Sequence, residues 1–103
     1  MTDMRIAHTI QKQIGAKTLF MLGAKNLAGG ENYLSFRIRG SKKVNYVKIS
    51  LNTNDLYTME FGKVWGLKYT KKTELENIYA DQMHEMIERE TGLVTRFPEI
   101  RID

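Results

Sequence analysis

Hydrophobic positions repeat along this chain in two different rhythms. Ile6, Ile10 and Ile14 recur every four residues, the spacing of one helical face. Asp3 stands where a capping residue would and Gly15 closes the segment, so the pattern predicts a first helix over 3–14. Leu19-Phe20-Met21-Leu22 is apolar on every side. It reads as a short second helix ending at Gly23.

From Asn26 the period becomes two. Asn26-Leu27-Ala28, the turn Gly29-Gly30-Glu31-Asn32 and the segment Tyr33–Arg39 predict a hairpin with a glycine turn. In its second arm Leu34, Phe36 and Ile38 share one face, while Tyr33, Ser35, Arg37 and Arg39 take the other. Gly40-Ser41-Lys42-Lys43 turns the chain. Val47, Ile49 and Leu51 then face inward, and Tyr46, Lys48 and Ser50 outward. The polar cluster Asn52-Thr53-Asn54-Asp55 is a turn, after which Tyr57, Met59 and Phe61 resume the inward pattern. Gly62 permits a bulge. Trp65-Gly66-Leu67 marks another turn before Lys68-Tyr69-Thr70.

Thr73-Glu74-Leu75-Glu76 has the form of a capping box, followed by Leu75, Ile78, Tyr79, Met83, Met86 and Ile87 at helical spacing. It predicts a final helix over 74–91, ended in Schellman fashion by Gly92 with Leu93 folding back. The expected fold is α+β: a three- to four-stranded antiparallel meander covered on one face by an N-terminal and a C-terminal helix. One domain spans 1–95, and 96–103, with the single proline Pro98, forms a short tail.

Composition narrows the function. The chain has 103 residues and no cysteine, which removes disulfides and thiolate chemistry and fits a reducing, cytoplasmic setting. No apolar run follows Met1-Thr2-Asp3-Met4-Arg5, so a secretory signal is not expected. The apolar run Leu19–Leu22 is too short for a membrane span. The net charge of +4 is unevenly spread. Residues 1–72 hold thirteen Lys and Arg against four Asp and Glu, whereas residues 73–91 hold Arg89 against six carboxylates. That asymmetry points the basic part toward a polyanion, or toward the chain's own acidic segment.

No catalytic constellation stands out. His8 and His84 fall on different helices without a second ligand at metal spacing, and His84 has only Glu88 one turn away. The glycines at 23, 29 and 30 lack the order of a phosphate loop. Met83 and Met86 fit core packing better than a partner surface. No cofactor, metal or enzymatic activity is therefore expected. What remains is the basic, aromatic outer face of the sheet. Tyr33, Arg37, Arg39, Tyr46 and Lys48, with Lys42 and Lys43 at the turn, are the residue types that hold phosphates and stack bases. The same residues also suit an ordinary solvated strand surface.

The stretches IQKQIGAKTLFMLGAKNLAGGENYLSFRI, VKISLNTNDLYTMEFGKVWG and IYADQMHEMIERETGL resemble a family of short, mostly uncharacterised bacteriophage and prophage proteins. GAKN, DLYTMEF and the YADQ…ETGL segment carry the resemblance, which covers about residues 6–93. It implies a mobile-element origin and a compact α+β domain, but no catalytic residue. Two function classes follow. The first is a small non-enzymatic accessory protein binding nucleic acid weakly through the sheet face. The alternative is an inhibitor of a host defence protein, of anti-CRISPR or anti-restriction type, acting through its acidic 73–91 segment. An exposed strand edge and the methionines also make a homodimer an expectation.

Overall fold

The computed structural model describes residues 3–93. Helix α1 (Arg5–Ile14) runs to Gly15, whose φ of 90° breaks the helix and which glycine adopts without steric cost. Helix α2 (Ala16–Met21) follows at once. Asp3 does not act as the expected cap: Met4 occupies the N-cap position. Instead the Asp3 carboxylate accepts from the Arg5 backbone N–H at 3.0 Å and pairs with the Arg5 guanidinium at 2.7 Å. Those side-chain and backbone bonds hold its carboxyl at about 2.

Five strands form one antiparallel meander in the order β1 (Lys25–Gly29), β2 (Tyr33–Arg37), β3 (Tyr46–Leu51), β4 (Tyr57–Trp65), β5 (Lys68–Ile78). The α+β class is as the alternation predicts, with one strand more than the three or four expected. The last strand takes the first five residues of the expected helix over 74–91. A 3-10 turn (Ala80–Gln82) leads into helix α3, which spans only Met83–Thr91. The Thr73–Glu76 capping box is not used. Instead the Tyr79 backbone N–H donates to the Gln82 side chain at 3.0 Å, just before the shorter helix. Its far end is as predicted: Gly92 has a φ of 72°, and its N–H bonds the Glu88 carbonyl.

Leu75 and Ile78 misled because a bulge imitates a helical turn. Leu75 lies opposite Met59 and Ile78 opposite Tyr57, so three steps along β5 match two along β4. Asn77, in the left-handed region at φ 58°, absorbs the extra residue. The spacing i, i+3 thus arises in a strand.

One sheet face and the helices share a single buried cluster. Rows Leu34–Ile49–Met59–Leu75 and Phe36–Val47–Phe61–Thr73 cross the sheet by register. Ala7, Ile10 and Ile14 of α1, Leu19 of α2 with Leu22 after it, and Met83, Met86 and Ile87 of α3 join the buried side chains of these rows. Polar ties fix the helices to each other and to the loops. His84 Nε2 donates to the Ile14 carbonyl at 2.7 Å, which ties α3 to the end of α1. Ser41 donates to the Thr91 carbonyl at 2.7 Å and accepts from the Lys43 and Val44 N–H groups. The expected boundary at 95 and the tail over 96–103 lie outside the described residues.

Asn45, immediately before β3, performs an unusual service for β4. Its backbone N–H bonds the Gly62 carbonyl. Its side-chain amide then accepts from the Val64 N–H at 2.7 Å and donates to the Val64 carbonyl at 3.0 Å. One side chain continues the ladder where the neighbouring strand ends. Past that point β4 and β5 pair only with each other, and the described chain is elongated, 53 × 31 × 23 Å.

Candidate nucleic-acid interface

Side chains on the other sheet face are set by the same register. Lys25 lies opposite Arg37, Arg37 opposite Tyr46, Tyr46 opposite Gly62, and Gly62 opposite Lys71. Directly opposed residues in an antiparallel pair share a face, so this row crosses all five strands. Over Gly62 lies the ring of Tyr69: a Cβ at Gly62 would stand 2.6 Å from its Cε1 and 2.5 Å from the Thr70 carbonyl oxygen. The Tyr69 ring meets Tyr46 edge-on, with centroids 5.1 Å apart. The row therefore reads cation, cation, aromatic, aromatic, cation.

A second row, Ser35–Lys48–Glu60–Glu74, runs beside it. Lys48 Nζ sits 4.7 Å from the Tyr33 ring centroid, a cation–π contact that joins the two residues. Tyr69 donates to Glu60 Oε2 at 2.7 Å. Burial first, and then this bond to a carboxylate, push its phenol well above the ordinary tyrosine value. Lys71 pairs with Glu74 and lies 3.9 Å from Glu60. Arg37 and Lys25 enter no ion pair among the described residues.

Of the seven residues expected at this surface, Tyr33, Arg37, Tyr46 and Lys48 come together on it. Arg39, Lys42 and Lys43 do not. β2 ends at Arg37, and the following loop is drawn to the helical side by buried Ile38 and Val44 and by the Ser41 bonds to Thr91. Arg39 instead donates its backbone N–H to Leu22. Sequence reasoning missed Lys25, Tyr69 and Lys71, and also the carboxylates Glu60 and Glu74. Glu60 was legible from the alternation of β4. The others depend on register.

Elsewhere a cleft of about 490 Å³ is lined by His8, Gln11, Lys12, Ala16, Leu19 and Leu27. Its lining holds no carboxylate beside His8 and Lys12. No cluster of three His, Cys, Asp or Glu suited to a metal occurs among the described residues. No helix among them is long and apolar enough to cross a membrane. Comparison with protein-family models, with curated proteins and with solved structures finds no match.

Proposed function

We propose that this is a non-enzymatic binding protein that holds single-stranded nucleic acid weakly, and with little sequence preference, on the outer sheet face. One observation carries the proposal: Lys25, Arg37, Tyr46, Tyr69 and Lys71 set cations on either side of an aromatic pair along one line across the sheet. Single-strand binders combine these two elements, cations that follow the phosphates and rings on which bases stack. Glu60 and Glu74 lie at one end of the line, where Lys71 is already bonded to Glu74. The phosphate track is therefore assigned to Lys25, Arg37 and Lys48, and the mobile-element origin implied by the sequence resemblance suits such a role.

Three such cations make log K fall with log salt at a slope of about −2 for a single strand. Arg37→Ala is expected to weaken binding and to flatten that slope by about 0.7. Tyr46→Ala is expected to cost about 1–3 kcal/mol of affinity and leave the slope alone. Fluorescence anisotropy with labelled DNA and RNA single strands measures both. Absence of binding to either at about 50 mM salt overturns the assignment.

The inhibitor alternative loses its expected surface. The carboxylates of 73–91 do not share a helix: Glu74 and Glu76 lie on β5, Asp81 in the 3-10 turn, and Glu85, Glu88 and Glu90 on α3. Capture of a host defence protein through either segment, without nucleic-acid binding, would restore it. The proposed homodimer would use one of two open sheet edges, β1 or β5. Light scattering that shows only monomer at high micromolar concentration removes it.

A further inference from the structure

The β4–β5 hairpin carries a second surface, made of different residues. Residues 63–72 read KVWGLKYTKK, with four lysines and no carboxylate. Within them Lys63 pairs with Thr70, Val64 with Tyr69 and Trp65 with Lys68, beyond the reach of β3. Gly66, at φ 57°, takes the first position of the two-residue turn, where hairpins favour glycine. The result is a two-stranded ribbon. At its tip Trp65 keeps 72% of its surface exposed and Leu67 all of it.

Trp65 and Leu67 sit at one turn, and contiguous exposed apolar surface rimmed by polar residues marks an interaction site. Their partner is indicated by the charges around them. Lys63 Nζ lies 6.0 Å from the Trp65 ring centroid, and Lys68 stands opposite Trp65 on the other strand. Lys72, the extra residue of a bulge, follows nearer the base. Lys68 and Lys72 enter no ion pair among the described residues. Cations thus stand on both strands, Lys63 on β4 and Lys68 and Lys72 on β5. A membrane meets a ribbon at its tip alone, and two apolar residues make a slight anchor. The major groove of B-DNA, about 12 Å wide, admits a two-stranded ribbon between two walls of phosphate. RNA duplexes have a major groove too narrow for one.

We propose that the hairpin arm binds double-stranded DNA in the major groove, with Lys63, Lys68 and Lys72 on the phosphate walls and Trp65 and Leu67 against the base edges. The proposal shares the nucleic-acid class of the function proposed above but none of its residues, so either can fail alone.

Trp65 is the only tryptophan in the chain, and its emission reports on the arm directly. Titration with a short blunt DNA duplex is expected to quench that emission and shift it to the blue, and added salt to reverse the change. Lys68→Ala with Lys72→Ala is expected to flatten the duplex salt slope by about 2. Trp65→Ala with Leu67→Ala is expected to weaken duplex binding, read by anisotropy, by about tenfold, at an unchanged melting temperature. Arg37→Ala with Tyr46→Ala is expected to leave duplex affinity intact while weakening single-strand binding. Three results would each overturn the proposal: duplex binding that ignores the Trp65/Leu67 variant, no duplex binding at low salt, or a blue shift produced only by anionic phospholipid vesicles. Loss of single-strand binding alone would count against the sheet face and leave the arm standing.

Discussion

Strand β4 keeps one alternation from end to end and lives in two environments. Tyr57, Met59 and Phe61 point into the cluster and are buried. The next two positions on that side, Lys63 and Trp65, project past it, and Trp65 is largely exposed. The backbone does not change character between these halves. What changes is the company, because β3 pairs with β4 only as far as Gly62. Alternation assigns a side chain to a face, and its depth depends on what else reaches that face.

The contrast is sharpest in stability. Ile87→Ala removes a fully buried side chain and is expected to cost about 2–5 kcal/mol in urea unfolding. Trp65→Ala, a larger truncation, is expected to stay within about 0.5 kcal/mol of wild type. If the two losses were equal, the arm would have to be packed against something. Gly62→Ala tests the border between the halves. Its methyl group would meet the Thr70 carbonyl and the Tyr69 ring, both closer than 3 Å, and overpacking of this kind costs about 1–3 kcal/mol.

Asn45→Ala is expected to cost about 1 kcal/mol, at the mild end for an unpaired backbone group, because Val64 is only half-buried. Hydrogen exchange gives the sharper reading, with protection lost at the Val64 amide and retained at Met59. The smallest effect concerns pH. The folded chain holds the Tyr69 proton above the ordinary value near 10. As pH rises past that value the unfolded chain releases the proton first, so stability present below pH ~10 is lost above it. Wild type should lose stability over that range slightly faster than Tyr69→Phe, as thermal melts at a series of alkaline pH values would show.

Much of this architecture can be read from alternation alone. Tyr33–Arg37, Tyr46–Leu51 and Tyr57–Phe61 have the faces that their pattern predicts, and Gly92 ends α3 as glycine should. β5 could not be read this way. A bulge at Asn77 gave Leu75 and Ile78 a helical interval, and the polar run before them imitated a cap. Only the open edge of β4 decides that the segment pairs as a strand, a tertiary influence that overrides local propensity. The candidate site divides along the same line. Tyr33, Arg37, Tyr46 and Lys48 follow from period two. Lys25 joins them through an irregular register near Asn26 and Leu27, and Tyr69 and Lys71 join through β5. Arg39 was misplaced because its alternation runs on past the end of the strand.

Asn45 gives the arm the mechanics of a cantilever. A ribbon clamped by a continuous third strand would share any sideways load along its whole length, but here the last supports are the Asn45 amide on Val64 and the contact of Tyr69 with Tyr46. Sideways force at Trp65 passes down the two paired strands to the level of Val64 and Tyr69, where the Asn45 amide, tied in turn to Ile38, and the Tyr46 ring brace the ribbon. The free span is then one rung and a turn, short enough to be stiff. A tip held that way meets its partner in a fixed orientation, and little freedom of motion is left to be lost on contact.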